Sequence, residues 1–292
     1  MPALIDLRRR IKSIRNTQQI TQAMKTVATA KLKKAQKTVM ENRPYWHRTP
    51  ALLAKLSRWV APEEHPLLCW RKEKTILVVV ITSDKGLCGA FNSNLLERTR
   101  QFCTDRKETA EVHLILIGKK ASQFFKRHSF LIEKVYLDLA RSFMEKDMEE
   151  LARYLIDRFI LQDFDSVYVV YNEFKKILSP QITMLKLLPV EPLSGKDDGT
   201  SGKEELEILP DFEPERSLIL DELLSHYVTV QVKHACFESI AAEQAARMMA
   251  MENATRNAED LIGDLTLVMN RIRQDTITKE LLEIMTAVDA LK

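Results

Sequence analysis

Helix-breaking residues are missing from both ends of this 292-residue chain. Residues 3–43 contain no proline and no glycine, and residues 215–292 contain no proline and a single glycine, Gly263. Because proline and glycine are the residues that interrupt helices most strongly, their absence predicts one long helix at each end. The other glycines lie between these two ends.

Cysteines are also few, and no C-x-x-C pair occurs among them. Cys69, Cys88, Cys103 and Cys236 are scattered, which argues against structural zinc and a disulfide framework and favours reduced thiols in a cytosolic compartment. No apolar run approaches the roughly 20 residues of a membrane span. The basic N-terminus lacks the apolar core of a signal peptide, so we interpret it as part of the mature structure.

Charge is divided unequally between the two ends. Residues 1–60 carry fourteen Lys and Arg against two acidic residues, a net charge of +12. Residues 215–292 carry eight basic and thirteen acidic residues, a net charge of −5. Opposite charges favour association of the two helices at long range.

Both ends also show apolar residues at helical spacing. In the first segment the predicted seam is interrupted by the polar residues 16–19, which we interpret as a stutter in the heptad. Pro44 and Pro50 are candidates to kink or end the helix. The N-terminal seam comprises Leu4, Leu7, Ile11, Ile14, Ile20, Met24, Val27, Ala28, Leu32, Ala35 and Val39. The C-terminal seam includes Leu220, Leu224, Tyr227, Val228, Ile240, Met248, Met251, Ala258, Leu261, Leu265, Val268, Ile272, Leu281, Ile284 and Val288.

The middle of the chain alternates β-branched runs with helical patterns. Strands are predicted at 75–82, 112–118, 132–137, 167–174 and 182–190, with a further edge strand at 208–212. Intervening helices are predicted from Asn92 or Ser93, around 120–128, and after the capping-box pair Ser142 and Glu145. This order predicts a mostly parallel α/β sheet. The predicted fold is therefore a long antiparallel coiled coil of terminal helices (1–60 and 213–292) with a central Rossmann-like α/β domain (70–212).

Two classes of function fit this architecture. One is a structural, mechanical subunit without an active site, and the other is a Rossmann-like enzyme or nucleotide binder with helical extensions. The turn at 83–89 contains two glycines but neither G-x-G-x-x-G nor G-x-x-x-x-G-K-[ST] spacing, so we interpret it as an ordinary strand-to-helix turn that Gly86 and Gly89 allow. No catalytic triad, carboxylate pair or metal set stands out. The basic first helix lacks interleaved aromatic residues, which argues against nucleic acid.

Four segments resemble the gamma subunit of F-type ATP synthase of the bacterial type. They are IKSIRNTQQITQAMKTVATAK at 11–31, SDKGLCGAFN at 83–92, AARMMAMENATRNA at 245–258 and NRIRQDTITKEL at 270–281. They occur in order and span the whole chain, so the resemblance is specific. It implies a non-catalytic rotor without a cofactor, present in one copy per complex.

The resemblance also implies partners and sites. The coiled coil would insert into the ring of alpha and beta subunits, and the α/β domain would lie near the epsilon subunit and the membrane c-ring. The complex would lie on the cytoplasmic face of the bacterial inner membrane, where proton flow drives ATP synthesis on the beta subunits. Met24 and Lys25 match the stretch where the coil leaves the stator, and Arg273 and Gln274 match positions that bind a beta-subunit loop.

Two positions depart from patterns within that family. Plant-type members carry a cysteine pair in an insertion of the α/β region, whereas residues 195–205 contain no cysteine, so thiol regulation is not expected. Lys85 stands where many members have arginine, and we expect the same role for it.

Overall fold

The computed structural model describes residues 2–57, 65–137, 145–176, 179–190 and 216–289. Two long helices form the ends of the described chain, and a five-stranded sheet with three helices lies between them in sequence. The elements are α1 (Pro2–Ser57), β1 (Thr75–Ile81), α2 (Phe91–Lys107), β2 (Glu111–Ile117), α3 (Lys119–Phe125), β3 (Leu131–Tyr136), α4 (Glu145–Ile160), β4 (Ser166–Lys176), β5 (Ser179–Leu188) and α5 (Arg216–Asp289). The predicted strand at 208–212, the loop at 194–205 and Ser142 lie outside the described residues.

Helix α1 continues through both of its internal prolines, so neither Pro44 nor Pro50 ends it. A proline inside a helix costs about 3 kcal/mol because it removes a backbone hydrogen bond and crowds the preceding turn. The residues around these prolines are buried nonetheless: Trp46 is 6% exposed and Leu53 is 1% exposed. Burial of these large side chains offsets the local cost.

The sheet has the strand order β3-β2-β1-β4-β5. β1 pairs in parallel with both β2 and β4, and β2 pairs in parallel with β3. β5 follows β4 after two residues and pairs with it antiparallel, because so short a connection allows only a hairpin. The mostly parallel prediction is confirmed, with one antiparallel edge.

Both faces of the sheet are covered, which explains why β1 is apolar along nearly its whole length. Ile76, Val78 and Val80 face one way and pack with residues of α2 and α3. Leu77 and Val79 face the other way and pack with residues of α4, of the first part of α5, and with Leu53 of α1.

The chain divides into two compact units. Unit 1 comprises Met1–Ala30 with Arg247–Lys292, and unit 2 comprises Lys31–Ala246. Unit 1 therefore contains the outer parts of both terminal helices, and unit 2 contains the sheet. The domain boundaries predicted near residues 60 and 213 fall outside the described residues and stay predictions. The predicted fold class, terminal helices paired antiparallel with a central α/β sheet, is confirmed.

Candidate functional site

The part of α1 in unit 1 buries one continuous seam. The deepest positions are Leu4, Ile11, Thr21 and Ala28, between 1% and 9% exposed. Leu7, Ile14, Gln18 and Lys25 are half-buried between them. All eight lie at alternating steps of three and four, the spacing of a coiled-coil core.

The predicted stutter is therefore wrong. The heptad runs unbroken through the polar residues Gln18, Thr21 and Lys25. Ile20 and Val27, two residues of the predicted seam, are 60% and 56% exposed. Following only apolar residues shifted the predicted register, because between Ile14 and Ala28 polar side chains occupy the core positions.

The α5 side of unit 1 has a matching seam. Met251 and Ala258 are buried, and Thr255, Ile262, Leu265, Met269, Ile272 and Thr276 are half-buried at heptad steps. Leu261 and Val268, which we had placed in the seam, are 51% and 47% exposed. As in α1, the predicted register differs from the observed one by one residue. Ile262 and Met269, which follow Leu261 and Val268, are the residues that pack in the seam.

Two polar contacts join the helices across this seam. The hydroxyl oxygens of Thr21 and Thr255 lie 2.7 Å apart, and Lys25 Nζ lies 2.9 Å from Glu252 Oε2. The hydrogen bond from Lys25, followed by its charge, lowers the pKa of the Glu252 carboxyl. Since the α1 numbers rise while the α5 numbers fall, the helices are antiparallel. Polar pairs at core positions fix the register of a coiled coil.

The four predicted contact residues occupy different environments. Met24 is half-buried beside the seam, whereas Lys25 lies in the seam and is engaged by Glu252. Arg273 and Gln274 are both exposed, next to the half-buried Ile272 of the seam. The structure thus places Lys25 in the coil itself, which sequence reasoning did not predict, and leaves the other three available to a partner.

The end of α5 is bare. Every residue from 277 to 287, here called the tip, is exposed. The register of Thr21 with Thr255 and of Lys25 with Glu252 brings the first residues of α1 opposite the region just before the tip. Five apolar side chains of the tip are 49–64% exposed: Ile277, Leu281, Leu282, Ile284 and Met285. Leu281 and Ile284 belong to the predicted seam, but they have no helix of this chain to pack on among the described residues.

An apolar face of that extent is unusual on a monomeric surface and marks an interaction site. The sequence carried a signal that one helix extends beyond the other. The C-terminal stretch without proline exceeds the N-terminal stretch in length, and a longer helix paired with a shorter one must protrude at one end or both.

In unit 2, the turn at 83–89 is fixed by its own side chains. The Asn92 carboxamide accepts from the Ser83 backbone N–H at 3.1 Å and donates to Ser83 Oγ at 2.8 Å and Cys88 Sγ at 3.1 Å. Ser83 Oγ in turn donates to the Lys85 carbonyl at 2.7 Å. Gly89 adopts a φ of 58°, as predicted for a tight turn, but the other left-handed residue is Leu87 at 62° and not Gly86.

This turn borders the place where doubly wound sheets usually bind ligands. The chain runs outward from β1 to β2 and β3 and then returns to the other side of β1 at β4, so the switch point lies between β1 and β4. Here Cys88 and Phe91 pack against Ala242 of α5, with Phe174 and Ala246 alongside. Apolar side chains of this chain thus occupy the position where a nucleotide would lie.

Neither a metal-binding cluster nor a membrane-spanning helix is found among the described residues. No cluster of three or more His, Cys, Asp or Glu side chains there is arranged to hold a metal ion. None of the helices in the described ranges combines the length and the apolar content that a bilayer span requires. The paired helices and the tip are therefore the best candidate for a functional surface.

Comparison with known proteins gives consistent matches. A sequence profile of the family described as ATP synthase matches residues 3–291. The ATP synthase gamma chain of Pelotomaculum thermopropionicum is 43% identical over 292 residues, with all of both chains covered. In fold, the chain is similar to a chain of the rotor of the Euglena gracilis mitochondrial ATP synthase, with a TM-score of 0.64, 20% identity, and coverage of 94% of this chain and 99% of that one. A second Euglena gracilis ATP synthase structure, of the OSCP/F1/c-ring assembly, gives a TM-score of 0.68 at 22% identity, covering 99% of this chain and 95% of that one.

Proposed function

Because this chain belongs to the family of ATP synthase gamma chains, we propose that it is the central rotor stalk of a proton-translocating F-type ATP synthase. In this role it couples proton flow through the membrane ring to ATP synthesis on the beta subunits. It makes no bond in the reaction itself, and it acts by transmitting rotation between two sites.

The observation that carries this proposal is the bare tip beyond the coiled coil. Five exposed apolar side chains on one helix end need a surrounding surface to exclude water. A ring of alpha and beta subunits provides such a surface. Side chains without directional hydrogen bonds suit a bearing, since apolar contacts depend weakly on rotation angle.

The coil below the tip is built to transmit torque. The threonine pair and the Lys25–Glu252 ion pair give the two helices a fixed register, which resists sliding of one helix along the other. Met24, Arg273 and Gln274 are the residues we propose as contacts to the stator, with Lys25 holding the coil at the level of Met24. Arg273 offers a planar set of donors that suits a carboxylate or carbonyl of a stator loop.

Unit 2 would contact the epsilon subunit and the membrane c-ring, with one copy of the chain in each complex. The filled crevice at the switch point supports a non-catalytic role for this Rossmann-like sheet. The proposed location is peripheral, on the cytoplasmic face of the bacterial inner membrane, where the membrane ring holds the complex.

A reconstituted complex tests the proposal. The alpha and beta subunits are assembled with this chain, the catalytic head is fixed to a surface, and a probe is attached to unit 2. On addition of ATP we expect the probe to rotate in steps in one direction. A head that hydrolyses ATP at the normal rate while the probe stays still would contradict a rotor role, and a head assembled without this chain is the control.

A further inference from the structure

A cavity of about 950 Å³ lies within unit 2, between α1, β4 and α5. This volume falls within the range of pockets that hold small organic ligands, which is about 300–1,000 Å³. Its apolar lining includes Val39, Met40, Trp46 and Phe174. The proposed rotor function does not use this cavity.

Two largely buried residues in the cavity wall have polar groups that no other described residue engages. Trp46 is 6% exposed and Gln231 is 8% exposed. Within the ranges that the structure describes, neither the Trp46 indole N–H nor the Gln231 carboxamide makes a hydrogen bond. Neither group is sealed from water, because Arg158 Nε is the one polar side-chain atom of the described residues that is both buried and without a partner. Both groups are therefore open to a ligand in the cavity.

The other polar residues of the wall differ in this respect. Glu238 accepts a hydrogen bond from the Phe174 backbone N–H at 2.7 Å and lies 3.5 Å from His234 Nε2. Glu173 accepts from the Thr183 hydroxyl at 3.0 Å. Both carboxylates thus have partners within this chain.

The α1 side of the cavity carries positive charge. Lys33, Lys37 and Arg43 line it. Lys37 lies 3.7 Å from Glu41, whereas no carboxylate of the described residues pairs with Lys33 or Arg43. Cations beside an apolar floor with unpaired donors match an anion that has an apolar body.

We propose that this cavity binds an amphiphilic organic anion, an alkyl or aryl body that ends in a carboxylate or phosphate group. The apolar body lies against Val39, Phe174 and the Trp46 ring, whose other neighbour is the His234 ring at 4.4 Å. The anionic group is bound by Lys33 or Arg43, which lie about 15 Å apart along α1, and Gln231 provides a hydrogen-bond donor. The ligand thereby joins α1 to α5 within unit 2.

Calorimetric titration of the full chain with dodecanoate and with dodecyl phosphate, each below its micelle concentration, tests this assignment. We expect saturable binding with one site per chain. The ligand that binds more tightly shows whether the site prefers a carboxylate or a phosphate group. The controls are dodecanol, which has the alkyl chain without an anionic group, and inorganic phosphate, which has the anionic group without the chain. Both should bind at least about tenfold more weakly.

Variants locate the site. Lys33→Gln with Arg43→Gln should weaken binding by about tenfold or more. Lys31→Gln with Lys34→Gln removes the same charge from exposed positions of the same helix that do not line the cavity, and it should leave binding unchanged. Gln231→Leu should weaken binding by about threefold to tenfold without lowering the thermal midpoint of the free chain.

Four results would overturn the proposal. They are no saturable binding, equal weakening by both double variants, equal affinity for dodecanol, and a Gln231→Leu variant that loses thermal stability while binding normally. The titration is repeated on the assembled complex. Loss of binding there would mean that a partner protein covers the cavity, and the small-molecule assignment would be wrong.

Discussion

At the scale of single residues, Glu73 joins several elements of unit 2 through one carboxylate. It accepts hydrogen bonds from Ser166 Oγ at 2.8 Å and Tyr168 Oη at 2.7 Å, pairs with Arg106, and lies 3.5 Å from Lys186 Nζ. Burial by itself raises the pKa of Glu73. The hydrogen bonds from Tyr168 and Ser166 and the charges of Arg106 and Lys186 outweigh burial, so its pKa is lower than the ordinary 4.5.

We expect Glu73→Gln to lower the free energy of unfolding by about 1–3 kcal/mol at pH 7, because Arg106 and Lys186 lose their carboxylate partner. A lowered folded-state pKa means that this contribution is complete above about pH 4.5 and disappears as the pH falls through the folded-state pKa. Urea unfolding from pH 7 to below the folded-state pKa of Glu73 should therefore show the two curves converging in acid. Glu97→Gln, which removes an exposed pair with Arg100, is the control. A constant difference at every pH would contradict the assignment.

Met24 is the second residue with a testable role. It is half-buried beside Lys25, whose ammonium is already paired with Glu252. Met24→Lys adds a cation that the coil does not pair, so it is free to attract acidic stator loops. Such a contact, partly shielded from water, could exceed the 0.2–1 kcal/mol or so of a surface ion pair and would favour some rotor angles over others.

We therefore expect Met24→Lys to reduce the number of protons pumped per ATP hydrolysed in the assembled complex, while the chain stays folded. Met24→Leu keeps the apolar character and should retain the normal ratio. An unchanged ratio with the lysine variant would remove Met24 from the proposed stator contact.

At the scale of elements, the tip of α5 separates folding from assembly. Its side chains are exposed, and the core of unit 2 involves none of them. Truncation before Thr286 should change the thermal stability of the free chain by no more than about 0.5 kcal/mol. Truncation before Arg273 removes the whole tip and two proposed contacts, and it should impair assembly and coupling strongly.

Circular dichroism of the free chain and proton pumping by the complex measure these two effects. The expected order is that pumping declines progressively with the length removed while the melting of unit 2 stays the same. If the shorter truncation unfolds the sheet, then the division between units is wrong.

At the scale of the whole molecule, the filled switch-point crevice distinguishes the two classes of function. Phe91, Cys88 and Ala242 occupy the place where Rossmann folds bind dinucleotides. We expect the isolated chain to bind neither ATP nor NAD with a dissociation constant below about 1 mM. Equilibrium dialysis with labelled nucleotide measures this, with the beta subunit as a positive control for ATP. Saturable binding by the isolated chain would favour the nucleotide-binding alternative.

The secondary structure of each element follows from its own residues. Helices followed from the scarcity of proline and glycine at both ends, and strands followed from short β-branched runs such as 75–82. These preferences arise from the backbone and side chain of each residue and its near neighbours, so they can be read locally. The four segments that resemble the gamma-chain family are likewise recognised from runs of consecutive residues.

The tertiary structure decided which residues of those elements meet. Thr21 and Lys25 occupy core positions because Thr255 and Glu252, more than two hundred residues away in the chain, pair with them. Ile20 and Leu261 point outward for the same reason, although each fits an apolar pattern. Burial depends on the partner surface and not on the residue alone. The register, the bare tip and the filled crevice therefore depend on contacts between distant parts of the chain and not on local preferences.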